Sequence, residues 1–546
     1  MRSMANRYCE SFSFVGLAFA TLFFAASLSP SLLPRVFFVQ GLLSGIALAI
    51  GYGIGVFAIW LWRYLELPEL RGQVARAGKI TTLVGVLLFA VIFLWRLTVW
   101  QNSIRERMEM PPLESAYPLT VIGIAIVFGG VLIAAARMLG GCFIWLDRRL
   151  SRWVPRRVSK VLTTVILSYL LIVIVNGVLA RAALHVADNV FSKIDEVVDE
   201  EIPQPTDPFA SGSPESLITW DSIGRQGKEF VVAEPSQETL TEFLGEDTVD
   251  PVRVYVGLRS TQTMQQRAKL ALEELKRVGG FDRSILVVAT PTGTGWLDPG
   301  AVHTLEFLHA GDTAIVSMQY SYLPSWITIL VDPNRSRDSA RALFDEIYAY
   351  WRTLPKDDRP KLYLHGLSLG ALGSEVCMDL FTLFEDPIQG GLWSGPPFPS
   401  TRWSAVTQGR NPDSPVWLPR FRDGSMLRFT GQQNSIDDFG DRWGPMRFVY
   451  IQHASDPMTF FHPSLMFRKP QWLSGERGPD VSPYLDWYPI VTFLQVACDL
   501  PMATSVPSGY GHNMSAANYI DAWVAVTDPS DWSKSDIERL KQRFAE

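Results

Sequence analysis

The sequence predicts a multi-pass α-helical membrane domain followed by an α/β domain with a mostly parallel sheet, helices on both faces and cap insertions. Three observations predict it. Apolar residues make up 47% of the 546 and charged residues only 19%, giving a mean hydropathy of +0.11; a wholly water-soluble domain carries about 25% charge. Residues 1–181 hold 18 Lys/Arg against 7 Asp/Glu, a net +11, whereas residues 182–546 hold 31 against 48, a net −17. The hydrophobic pattern also changes, from long apolar runs to short β-branched runs alternating with helical periods. This composition excludes a disordered, collagen-like or disulfide-scaffold chain. The acidic rear part lacks the clustered basic face that nucleic-acid binding needs. Cys9, Cys142, Cys377 and Cys498 form no pair at metal or redox spacing, so no cofactor and no metal is expected.

Five apolar stretches lie in the first 181 residues, at 12–28, 37–62, 80–100, 117–136 and 161–180. Crossing the hydrocarbon takes about 20 helical residues. Four stretches clear that length; the first is shorter and follows Arg2 and Arg7, so a signal peptide is its rival reading. Connections on the N-terminal side carry 13 Lys/Arg and those on the other side 5. The richer side belongs in the cytoplasm, which places the N-terminus inside and residues beyond 180 outside the cytoplasmic membrane. Arg96 is the nearest candidate for a charge within a span, close enough to an end for its stem to reach the interface.

Residues 182–216 read as an acidic and Pro/Ser-rich linker, ending in PQPTDPFASGSPES, either a semi-stiff spacer or an ordered surface loop. Residues 217–546 read as the α/β domain. Strands are expected at 253–258, 284–290, 313–320, 361–366, 388–394 and 447–453, with helices at 263–278 and 336–354. Such alternation gives a parallel sheet covered on both faces.

One strand-to-helix junction carries chemistry: Lys361-Leu-Tyr-Leu-His-Gly366-Leu-Ser368-Leu-Gly370, followed by a helical period with Leu372, Val376 and Leu380. G-x-S-x-G between strand and helix is the arrangement that presents a serine above a sheet edge. A serine hydroxyl needs a base, and the base an orienting acid, in the chain order Ser, Asp/Glu, His. Asp456 follows the strand at 447–453, and His512 sits in a glycine-flanked loop before a terminal helix. His453 and His462 flank Asp456 as pocket candidates, while His185, His303, His309 and His365 read as packing or surface residues. Asp437, Asp438 and Asp441 compete for the acid role but precede the strand.

At Leu364-His-Gly-Leu-Ser-Leu-Gly370, His453-Ala-Ser-Asp-Pro457, Gly511-His512 and Thr292-Gly-Thr-Gly-Trp296, the chain resembles a bacterial family of membrane-anchored α/β-hydrolases with a multi-helix N-terminal membrane domain. The resemblance implies Ser368 as nucleophile, His512 as general base and then acid, and Asp456 as the residue that fixes the imidazole.

An oxyanion hole needs two convergent N–H groups. Leu369 is expected to supply one, and Gly293 or Thr294, in the loop after the second strand, the other. Trp296, Tyr320, Trp403 and Phe460 are expected to line the substrate site. Residues 396–445 read as a cap, and 459–479 as a second apolar roof; rings beside arginines there suit a lipid ester. The expected function is a membrane-anchored serine hydrolase, esterase- or lipase-like, acting on a lipid or cell-envelope ester, with membrane lipids as partners and no nucleic acid. An acyltransferase using the same triad and a non-catalytic membrane scaffold are the alternatives; competing acyl acceptors and an inactive serine variant separate them.

Overall fold

The computed structural model describes residues 12–68, 72–172, 202–245, 247–378 and 386–545, with positions 186, 190–193 and 195 between them. Two compact units divide the chain. One comprises Met1–His185 with His462–Ser474 and Asp480–Met502; the other comprises Val186–Phe461 with Gly475–Pro479 and Ala503–Glu546.

The first unit is helical: α1 (Phe14–Ser27), α2 (Phe37–Tyr64), α3 (Gly72–Arg107), α4 (Pro118–Leu150) and α5 (Arg156–Ile172). Helices α2, α3 and α4 are long and apolar enough to cross a membrane. Five apolar stretches are expected from the sequence, the first of them short, and helix α1 has 14 residues. It ends where the Ser27 and Ser29 hydroxyls turn back onto the Phe24 and Ala26 carbonyls. The fifth stretch begins in α5, and its continuation beyond Ile172 lies outside the described residues. Arg96 is exposed on α3. Small residues set the packing distance: a Cβ on Gly55 of α2 would stand 2.8 Å from the Gly16 Cα of α1.

The helix Val491–Asp499, contributed by the late segment of this unit, packs on α1 and α2. Its Asp499 pairs with Arg35 at 2.9 Å, both side chains fully buried. Charges leave water at such a cost that they are found buried only when paired.

The second unit is a seven-stranded, wholly parallel sheet: β1 (Val252–Val256), β2 (Ile285–Thr290), β3 (Thr313–Met318), β4 (Lys361–Leu367), β5 (Gly390–Ser394), β6 (Leu427–Thr430) and β7 (Arg447–Ile451), in the order β1-β3-β2-β4-β5-β7-β6. Nearly every strand residue is buried, as expected where helices cover both faces. Helices α6 (Met264–Arg277), α7 (Pro299–Leu308), α8 (Asn334–Trp351), α9 (Leu369–Ser374), α10 (Thr401–Gln408), α11 (Pro457–Phe460), α12 (Ala516–Thr527) and α13 (Lys534–Ala545) surround it. The helices α6, α8 and α9 form one packed group, and α7, α12 and α13 another.

Residues 396–445 do not form one insertion: the chain makes α10 and then returns to the sheet as the edge strand β6. The described part of residues 203–216 is an ordered surface loop held on α6. Buried Glu274 accepts the Ser216 hydroxyl at 2.6 Å and the Leu217 N–H at 3.0 Å. Leu380 lies outside the described residues, as do His185 and most of the acidic stretch before 202.

A second buried pair fixes the edge of the sheet. Arg253 of β1 meets both carboxylate oxygens of Glu306 at 2.7 Å. Arg253→Met leaves Glu306 as an uncompensated buried charge and is expected to cost about 3–5 kcal/mol. Urea unfolding followed by tryptophan fluorescence measures it, and Arg253→Met/Glu306→Leu is expected to recover much of the loss.

Candidate active site

The carboxyl ends of three neighbouring strands, β4, β5 and β7, converge on one site. At the end of β4 the chain turns sharply through Ser368, with φ 57° and ψ −125°. Two glycines permit the turn. A Cβ on Gly366 would meet the Gly370 carbonyl at 2.4 Å, and one on Gly370 would meet the Thr290 carbonyl at 2.1 Å. No side chain fits either position, so helix α9 presses directly against the end of β2.

Ser368 N–H donates to the Ser394 carbonyl at the end of β5, at 2.9 Å. The next residue, Gly395, has φ 51°, and a Cβ there would lie 2.5 Å from Cε1 of His512 and 2.7 Å from its Nδ1. Ser368 and His512 therefore meet the same two-residue turn.

Beyond β7, Asp456 caps α11. Its Oδ1 accepts the Met458 N–H at 2.8 Å, while Oδ2 accepts the Thr459 hydroxyl at 3.0 Å and His512 Nδ1 at 2.7 Å. A carboxylate accepts, so the proton on the imidazole sits at Nδ1, and Nε2 carries a free lone pair. His512 Nε2 and Ser368 Oγ are both buried, and neither has a hydrogen-bond partner among the described residues. Ser368 is 2% exposed and His512 7%.

The loop that carries His512 is pinned at Gly511, through the peptide groups on either side of its Cα. His453 Nδ1 donates to the Gly511 carbonyl at 2.9 Å, and the Gly511 N–H donates to the Ser455 hydroxyl at 2.9 Å. His453 thus touches the histidine loop through its backbone. His462 belongs to the other unit, where its ring accepts the Ser464 N–H. Asp437, Asp438 and Asp441 lie before β7 and outside this cluster, Asp438 facing Arg420. His365 is packed beneath it, its Nδ1 on the Leu392 carbonyl at 2.9 Å, and burial pushes its pKa down to about 4.

Leu369 follows Ser368 in the chain. In the loop after β2, the Gly293 N–H donates to the Ser325 hydroxyl at 2.9 Å, so one of the two donors expected there is already engaged. Tyr320 does not line an open site; it is 3% exposed, and its hydroxyl donates to the Pro291 carbonyl at 3.1 Å, bracing that loop. Trp403 and Phe460 pack edge to face at 6.4 Å, both buried, and Phe460 ends the helix that Asp456 caps. Trp296 stands apart from them, half-buried in a cleft of about 50 Å³ with Phe230, Val302 and His303. Larger clefts, of about 740 and 650 Å³, open at the opposite, N-terminal ends of the strands and do not touch Ser368.

A model described as an alpha/beta-hydrolase family matches residues 252–540, and one described as that family's N-terminus matches residues 28–235. The chain belongs to this alpha/beta-hydrolase family. No curated protein and no solved structure matches it. For an alpha/beta-hydrolase, a serine on a strained turn and an imidazole held by a carboxylate are the parts that acyl transfer requires.

Several supporting groups carry no sequence signature. Gly395 is one. Glu375 is another: buried, it accepts the Arg402 and Trp403 N–H groups and the Tyr450 hydroxyl, and burial raises its pKa. A third is Asp298, which accepts the Tyr519 hydroxyl at 3.0 Å; that hydroxyl in turn lies 3.1 Å from Ser394 Oγ, next to the Ser368 turn. Asp298 is half-buried as a residue, yet its carboxyl is desolvated enough to be pushed up from 3.8 to about 6, against the Gly300 and Tyr519 bonds that lower it. The folded protein therefore keeps a proton that the unfolded chain has released. Stability is expected to fall as pH rises from about 4 to 6. Asp298→Asn should flatten that slope in urea titrations at stepped pH.

Proposed function

We propose that the protein is a membrane-associated serine hydrolase, esterase- or lipase-like, that cleaves a carboxylic ester of a lipid or cell-envelope molecule. The observation that carries this reading is the 2.7 Å bond from His512 Nδ1 to Asp456, in a ring that lies against the Gly395 turn, beside the Ser394 carbonyl that accepts the Ser368 N–H. Ser368 Oγ attacks the acyl carbon, and its proton passes to His512 Nε2. The oxyanion is met by the N–H groups of Leu369 and Thr294, with the Gly293 N–H held by Ser325. Each such donor is worth about 3–4 kcal/mol in the transition state. Collapse expels the alcohol with the proton from Nε2; water, deprotonated by the same nitrogen, then releases the acid and frees Ser368. Asp456 holds the imidazole and stabilises its cation without becoming protonated.

The three long apolar helices support a location at a membrane. The charge asymmetry of the connections supports a cytoplasmic-membrane orientation with the N-terminus inside and the hydrolase unit outside. Trp403 and Phe460, beside Asp456, offer apolar walls to an acyl chain.

A fluorophosphonate probe is expected to label the wild-type protein at Ser368 and to leave Ser368→Ala unlabelled. Labelling that persists in the variant discredits the assignment. Asp456→Asn should lower kcat on a p-nitrophenyl ester by about four orders of magnitude, because the imidazole loses the tautomer that accepts the serine proton. Gly395→Ala should also be nearly inactive, since the added carbon displaces the ring.

A further inference from the structure

The end of α4 and the start of α5 concentrate positive charge. Residues 148–160 include Arg148, Arg149, Arg152, Arg156, Arg157 and Lys160 but no Asp or Glu. All six cations are exposed, and none forms an ion pair among the described residues. Asp147, the one acid between residues 115 and 187, faces a neutral partner instead. Ser159 Oγ lies 2.6 Å from its carboxylate and 2.9 Å from its main-chain carbonyl. Cations held this close together repel one another unless an anion comes between them.

The Asp147–Ser159 contact also sets a level. It ties the last turn of α4 to the first turn of α5, and the apolar run of α5 begins two residues later at Val161. The border between apolar and cationic surface therefore falls at the same height on both helices. Trp153, in the connection between them, is 86% exposed. Tryptophan and arginine at such a border belong in the headgroup layer of a membrane.

A cleft of about 320 Å³ opens on α4 at this border, lined by Gly141, Ile144, Trp145, Arg148, Arg149 and Arg152. Its wall changes from apolar to cationic within about 12 Å of helix, from Gly141 to Arg149. Acyl chain, glycerol and phosphate follow one another in that order in a phospholipid. A Cβ on Gly141 would have nothing within 4 Å, so this glycine leaves space that a side chain would take. Guanidinium groups grip phosphate oxygens in pairs.

We propose that this cleft binds an acidic glycerophospholipid, its phosphate among Arg148, Arg149 and Arg152 and its glycerol and first acyl carbons along Gly141, Ile144 and Trp145. A soluble phosphate carries the charge but makes no use of the apolar half. Orientation of a span needs only an excess of cations on one side; a site of this kind makes shape count as well. It lies wholly on the helical unit and stands whether or not the serine-hydrolase reading holds.

The test is native mass spectrometry of the full chain in uncharged detergent, titrated with phosphatidylglycerol, phosphatidylcholine or glycerol 1-phosphate. One phosphatidylglycerol is expected to be retained about tenfold more tightly than phosphatidylcholine, and glycerol 1-phosphate not at all. Arg148→Gln/Arg149→Gln should weaken that binding about tenfold, whereas Arg156→Gln/Arg157→Gln, which removes as much charge outside the cleft, should change it by less than about threefold. Gly141→Phe keeps every charge, fills the cleft and is expected to lose the lipid as well. If that variant fails to fold, the two arginine pairs decide the matter between them. Equal losses in both pairs mean diffuse attraction and overturn the proposal, as does equal retention of phosphatidylcholine. Glycerol 1-phosphate bound as tightly as the lipid assigns the cleft to a soluble phosphate and overturns it too.

Discussion

Ser368 occupies a backbone conformation that a residue with a side chain rarely adopts, at a cost of about 1–3 kcal/mol. Everything else at the site is arranged so that the chain has no other choice there. The flanking glycines bring α9 against the last carbonyls of β2, the Ser394 carbonyl accepts the serine N–H, and the Ser336 hydroxyl donates to the Leu369 carbonyl at 2.6 Å. The same crowding that strains Ser368 sets the loop after β2 beside it.

Most polar groups around the imidazole have partners. Both oxygens of Asp456 are engaged, as are the N–H and the carbonyl of Gly511, while Nε2 of His512, Nε2 of His453 and the serine hydroxyl are buried without a partner among the described residues. An orphaned buried polar atom costs about 1–3 kcal/mol.

Features that depend on a few consecutive residues were legible in the sequence. The elbow, the carboxylate after β7 and the glycine-flanked histidine are local patterns tied to a strand end or a turn, and six of the seven strands show as apolar runs. Strand β6 has only Leu427-Arg-Phe-Thr430 and lies at the sheet edge, too short for periodicity to separate it from a loop. Gly395 carries no pattern of its own; its role comes from a ring over a hundred positions away. Tyr320 and Trp296 were plausible as pocket lining because aromatic residues near strand ends commonly are, but one braces a loop and the other sits elsewhere. Nothing local to Arg35 or to Asp499 in the sequence could join the two.

That pair has a consequence for biosynthesis. Its members are separated by 464 positions, and a nascent chain emerges from its N-terminus. At about 5–20 residues per second, Arg35 waits some tens of seconds for its carboxylate. The helical unit consequently cannot finish folding first, as an N-terminal domain ordinarily does; a buried polar partner arrives only 464 residues after Arg35.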